Sequence, residues 1–161
     1  MVTLADRADL AGLMYRRILV PLEHSPCDDV ILAHVSQLAK LCGSSLLLIH
    51  VADGWAARNL RPLHLRESEE MRRDREYIEQ RCATLRSEGF ETESVLAGGE
   101  PSVEIAAAAD REGCDLIAMA VHGHKGLQDV IYGQTANKVR HLTAVPVLMV
   151  RDPRRATRPL S

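Results

Sequence analysis

The chain has 161 residues, enough for one domain with a full hydrophobic core. Its 20 basic and 22 acidic side chains leave a net charge of −2, and aromatics make up only 3 %. That balance argues against a nucleic-acid surface and against stacking platforms for single strands, and no apolar run reaches the roughly 18 residues of a membrane span.

The first 15 residues, with Asp6 and Asp9 among the apolar ones, read as a flexible extension rather than a signal peptide. Arg17 to Leu22 is a short apolar run and is expected to be a buried strand. Ser25 and Pro26 form a helix start, with a cap and a first-turn proline. Ile31, Val35, Leu38 and Cys42 follow at helical spacing until Gly43 ends the helix. Ser45 to Val51 is a second strand, and a loop with Gly54 and Pro62 follows it. From Glu67 to Glu88 the chain is highly charged but carries Met71, Ile78, Cys82 and Leu85 on one face, the pattern of an amphipathic helix packed on a core. Gly89 stops it, and Glu91 to Ala97 is a third strand. Gly98-Gly99-Glu100-Pro101 leads into an alanine-rich helix, Pro101 to Glu112. Asp115 to Val121 is a fourth strand, Gln134 to Leu142 a fourth helix, and Val145 to Val150 a fifth strand. The tail, residues 152–161, is basic, carries two prolines and is expected to be flexible.

Strands alternating with helices predict right-handed crossovers and a parallel sheet with helices on both faces. The fold class is therefore α/β, a single doubly wound, Rossmann-like sheet of five strands over residues 16–151. In such sheets ligands bind at the carboxyl ends of the strands, where the strand order reverses. If the first and fourth strands flank that point, Leu22-Glu23-His24 and Ala120-Val121-His122-Gly123 share one crevice. Cys27, Cys42, Cys82 and Cys114 form no C-x-x-C pair and read as reduced thiols, most of them small core residues, in a cytoplasmic protein.

The stretch that points to a ligand is Met119 to Thr135. An apolar strand ends abruptly at His122-Gly123-His124-Lys125-Gly126, and nine residues separate Gly123 from Gly133. Glycines let a backbone approach a ligand closely, and free N–H groups at a helix start favour an anion. The two histidines have no carboxylate or cysteine partner nearby in sequence, so no metal site is expected. Neither a G-x-x-x-x-G-K-S/T phosphate loop nor a G-x-S-x-G nucleophile elbow is present, and no catalytic residue is assigned.

Together these motifs resemble the universal stress protein family. Its nucleotide-binding members carry Gly-x-x-Gly, nine residues, then Gly followed by Ser or Thr, after the fourth strand. Here Gly123, the spacer and Gly133 match, while Ala120 replaces the first glycine and Gln134 the Ser/Thr, with Thr135 one place later. Glu23 stands where the first strand usually ends in Asp. His50-Val51, Gly99-Glu100-Pro101 and Pro146-Val147-Leu148 match three further family positions.

The resemblance implies strand order 3-2-1-4-5 and an adenine nucleotide, ATP or else ADP or AMP, with or without Mg, in the crevice. Carried over, Glu23 and the backbone near Val51 would meet adenine and ribose, with Pro21 and Leu22 beside them. Met119 and Ala120 would line base and ribose. His122 would shape the loop, and Gly123 and His124 would face phosphates. Gly133, Gln134 and Thr135 would offer donors to the distal phosphates. The expected function is a small stress-response regulatory module with an unknown protein partner. The alternatives are a nucleotide-free interaction protein, motivated by Ala120 and Gln134, and a weak nucleotide hydrolase. The apolar strand Val145 to Val150 at a sheet edge invites pairing with a second copy into a homodimer.

Overall fold

The structure, a computed structural model, describes residues 14–53, 69–121 and 127–151. In chain order these form β1 (Arg17–Pro21), α1 (Cys27–Cys42), β2 (Ser45–Asp53), α2 (Glu69–Ser87), β3 (Thr92–Gly99), α3 (Pro101–Arg111), β4 (Leu116–Val121), α4 (Leu127–Leu142) and β5 (Val147–Arg151). All strand pairs are parallel, and the sheet order is β3-β2-β1-β4-β5. This is the doubly wound α/β fold expected from the alternation of elements.

Successive side chains of a strand point to opposite faces, so a central strand must feed two cores. Ile18 and Val20 of β1 pack with Ile31 and Val35 of α1 and with Ile78, Cys82 and Leu85 of α2. Leu19 points the other way and packs with Leu47, Ile49 and Ile117, against Ile105 and Ala108 of α3 and Ala136 and Val139 of α4. Burying an Ile or Leu side chain fully contributes about 1.5–3 kcal/mol. These central strands therefore hold the sheet together and leave the strand ends for other tasks. The stripe read on α2 is core, as its spacing predicted; Met71 is half-buried.

Local signals explain the boundaries. Gly43 takes a left-handed conformation, φ 69°, and closes α1 by donating its N–H to the Ala39 carbonyl. Glu100, not a Ser or Thr, caps α3: its carboxylate accepts the Val103 N–H, and Pro101 occupies the first turn. α1 begins at Cys27, one residue past the expected proline, and Ser25 accepts the Cys27 N–H through its hydroxyl at 3.3 Å. Asp115 is not the first residue of β4; its carboxylate instead accepts the backbone N–H groups of Arg16 and Arg17 at 2.8 and 3.0 Å.

The largest departure from the sequence reading is α4. It begins at Leu127, not at Gln134, so Gly133, Gln134 and Thr135 lie inside the helix. A single interior glycine costs a helix only about 1 kcal/mol relative to alanine. That is too little to stop a segment that otherwise lacks a breaker after Gly126. The fifth strand also starts two residues late: Val145 donates to the Thr143 hydroxyl, and the Pro146 carbonyl accepts the Ile117 N–H.

Candidate functional site

The strand order reverses between β1 and β4. The register defines what meets there. β1 and β2 pair as far as Pro21 opposite Ile49, and the Leu22 N–H continues the ladder to the Ile49 carbonyl at 2.8 Å. Glu23 follows in the loop beyond β1, and β2 continues through His50 and Val51 to Asp53. On the other side Leu19 lies opposite Ile117, so Pro21 and Leu22 come level with Met119 and Ala120. Pro21, Leu22, Glu23, Val51, Met119 and Ala120 thus lie at or just beyond the carboxyl ends of three neighbouring strands.

Their side chains do not share one surface. Met119 is buried in the core under α3 and α4, whereas Ala120 is buried in the core under α1 and α2. Leu22 is also buried, and Glu23 and Val51 are half-buried. A ligand at this edge meets backbone at 119 and 120 more than it meets their side chains. His122, Gly123, His124 and Lys125 lie outside the described residues. Gln134 is exposed and Thr135 half-buried on α4.

Glu23 belongs to a tightly tied loop. Its N–H donates to Asp28 Oδ1 at 3.0 Å, and the Ser25 N–H donates to Asp28 Oδ2 at 3.2 Å. Asp28 is 1 % exposed, and the Tyr77 hydroxyl of α2 donates to the same carboxylate at 2.7 Å. Burial and the Asp28 carboxylate push the Tyr77 phenol up to about 12, so it stays a neutral donor. Arg81 donates to the Tyr77 oxygen at 3.1 Å and pairs with Asp29 at 2.7 Å. Between Glu23 and Ser25 stands His24, whose φ of 59° is rare for a residue with a Cβ. Its ring stacks on Tyr77 with centroids 3.9 Å apart, and its Nδ1 lies 3.4 Å from Asp74.

Asp28, Asp74 and Tyr77 escaped the sequence reading. Asp28 had a signal, because Ser25-x-x-Asp28 is a capping-box spacing. Asp74 and Tyr77 sit in a highly charged helix and could be found only from the packing of α2 on the β1–α1 loop. Among the described residues no group of three or more His, Cys, Asp or Glu side chains is arranged to hold a metal. The four cysteines are free, and burial pushes the Cys114 thiol up.

This architecture can be set beside known proteins. The model of the universal stress protein family matches residues 14–151, nearly the whole domain. The chain belongs to this family. The universal stress protein MJ0577 of Methanocaldococcus jannaschii is 28 % identical over 158 residues, which cover 87 % of this chain and 97 % of that protein. The solved MJ0577 structure has a TM-score of 0.74 at 27 % identity, covering 86 % of this chain and 97 % of that one. A universal stress protein from Archaeoglobus fulgidus, solved in complex with dAMP, shares the fold with a TM-score of 0.62 at 21 % identity. The matched region covers 84 % of this chain and 98 % of that one. A further family structure, solved in complex with cAMP, has a TM-score of 0.63 at 15 % identity and covers 86 % of this chain and 98 % of that one. Among the described residues no helix is long and apolar enough to cross a membrane.

Proposed function

We propose that this chain is a cytoplasmic stress-response regulatory module that binds an adenine nucleotide, ATP or else ADP or AMP, in the crevice between β1 and β4. The observation that carries this reading is the register, which brings Glu23, Val51 and the backbone of Met119 and Ala120 to one edge at the switch point. The dAMP and cAMP complexes of family members support it. Glu23 and the backbone at Val51 hold base and ribose, beside Pro21, Leu22, Met119 and Ala120. Loop residues His122, Gly123 and His124 approach the phosphates, with or without Mg.

In this reading the nucleoside end needs no change in the described elements, and the distal phosphates need one in α4. Inside α4 the N–H groups of Gly133, Gln134 and Thr135 belong to a helical ladder. They become phosphate donors only when the turns ahead of them open, and Gly133 is the weak point of that segment. Nucleotide binding is therefore linked to the first turns of α4, and the change at that surface is what an unknown protein partner would read.

Calorimetric titration of nucleotide-stripped protein with ATP, ADP and AMP, with and without magnesium, tests this. Saturable binding that is lost in Gly133→Val is the expected result. Absence of heat and of any thermal shift at millimolar nucleotide would overturn it. The second reading, a nucleotide-free interaction protein, is favoured by the burial of Ala120 and by the helical setting of Gly133. Affinity that appears only after Ala120→Gly and Gln134→Ser are combined would select that reading.

We also propose a homodimer through the strand read at Val145 to Val150. β5 is an edge strand, and its Met149 is 49 % exposed. An apolar edge with open backbone groups is a template for pairing.

A further inference from the structure

The β1–α1 loop that presents Glu23 is joined to α2 by a chain of imidazole and carboxylate groups. His50 of β2 directs Nδ1 at the Leu22 carbonyl, 2.8 Å away, and Nε2 at Asp74 Oδ2, 3.3 Å away. The other oxygen of Asp74 faces Nδ1 of His24 at 3.4 Å. The side chains of His50 and Asp74 are only 12 % and 13 % exposed, so water has limited access to either.

The inventory of donors decides how these contacts can be filled. A carbonyl oxygen only accepts, so the ring nitrogen facing Leu22 must carry hydrogen. A neutral imidazole has one N–H, and once Nδ1 is committed to Leu22, Nε2 turns a lone pair toward a carboxylate. An imidazolium donates from both nitrogens and satisfies Leu22 and Asp74 together. No such conflict arises at His24, which points a single nitrogen at Asp74 and stacks on Tyr77.

We propose that His50 and Asp74 form a proton-operated latch that positions the Glu23 loop for nucleotide. With His50 doubly protonated, β2, α2 and the β1–α1 loop are tied at one point, and His24 is held in its left-handed conformation beside Asp74. When His50 loses its second proton, the contact to Asp74 turns repulsive and α2 loosens its hold on residues 22–25. Asp74 of α2 and His24 of the loop face His50 in this chain of contacts; the nearby Asp28 is taken up by Tyr77 and the loop N–H groups, and Asp29 by Arg81. In this scheme Asp74 and His50 are positioning residues: they act on the ligand through the backbone that carries Glu23.

The inference rests on the nucleotide reading above, and the test separates the two. Nitrogen-detected imidazole spectra of the full chain without nucleotide should show His50 protonated at both nitrogens at the acid end of a pH series and at Nδ1 alone at its alkaline end. ATP affinity should fall about tenfold over the same interval. In Asp74→Asn the slope should flatten, because the amide can donate to a neutral Nε2. The ionisation of ATP itself is common to both proteins and cancels in the comparison. An His50 that is neutral throughout, or equal slopes in the two proteins, would overturn the latch. If no nucleotide binds at any pH, the binding reading falls alone. The latch is then judged by amide protection at Glu23 and Ser25, taken relative to the intrinsic base-catalysed exchange rate at each pH: protection that falls at the higher pH in the wild type and not in Asp74→Asn supports it, and protection indifferent to pH overturns it.

Discussion

Gly99 shows how a single residue constrains the rim of the sheet. It ends β3 opposite Asp53 with φ 149°, a conformation that few L side chains adopt. A Cβ there would come 2.8 Å from Oε1 of Glu104, the free end of a flexible side chain that can swing away. The backbone cost remains, so Gly99→Ala should destabilise the protein by about 1–3 kcal/mol in denaturant unfolding. The same value in Gly99→Ala and in a variant that also shortens Glu104 would locate the cost in the backbone. Gly43 and Gly99 were both legible as punctuation. The left-handed His24 was not, because nothing in its neighbours demands a positive φ. It exists because Asp28 holds the N–H groups on both sides of it and Tyr77 holds its ring.

Among the elements, α3 carries a titratable start. Glu100 accepts the Ser102 hydroxyl at 2.5 Å and the Val103 N–H at 2.9 Å, and faces Lys138 of α4 at 3.4 Å. The Ser102 bond, with smaller help from Val103 and Lys138, lowers the carboxyl below its ordinary 4.5. A depressed acid binds fewer protons folded than unfolded, so its contribution is present above that ordinary value and is lost as the pH falls through the folded one. Protection of the Val103 amide, relative to its intrinsic exchange rate, should therefore fall in acid below about pH 4.5, and Glu100→Gln should remove that dependence. The strands were legible to within two residues because runs such as Leu116 to Val121 are apolar without interruption. The start of α4 was not. The sequence marks Gly133 as a possible breaker, but whether one glycine stops a helix depends on a balance of about 1 kcal/mol that tertiary context decides.

On the scale of the molecule, the two-core sheet explains how the site and the proposed dimer surface stay independent. The proposed site lies at the carboxyl ends of β1 and β4, while β5 closes the far edge. Val147 and Leu148 pack against opposite cores, so changing either would disturb folding as well as assembly. Met149 is the cleaner probe: Met149→Glu should convert dimer to monomer in sedimentation with an unchanged melting curve at high dilution. A dimer that persists would refute the β5 interface. The switch point between β1 and β4 was legible through the family resemblance, which implied the strand order. The latch was hidden because α2 reaches it from a charged helix whose partners lie elsewhere in the chain.

The central position of β1 has a consequence for how the chain is made. Its first residues emerge early, yet the backbone N–H of Arg17 finds its acceptor in the Asp115 carboxylate, 98 residues on. Until then Ile18, Leu19 and Val20 can pair only toward β2, and the opposite flank of the strand is open on the ribosome. Contacts this remote in sequence slow folding and leave apolar edges exposed while synthesis continues. Nascent chains arrested before β4 should consequently be the species that chaperones retain, and release should coincide with the appearance of Leu116 to Val121.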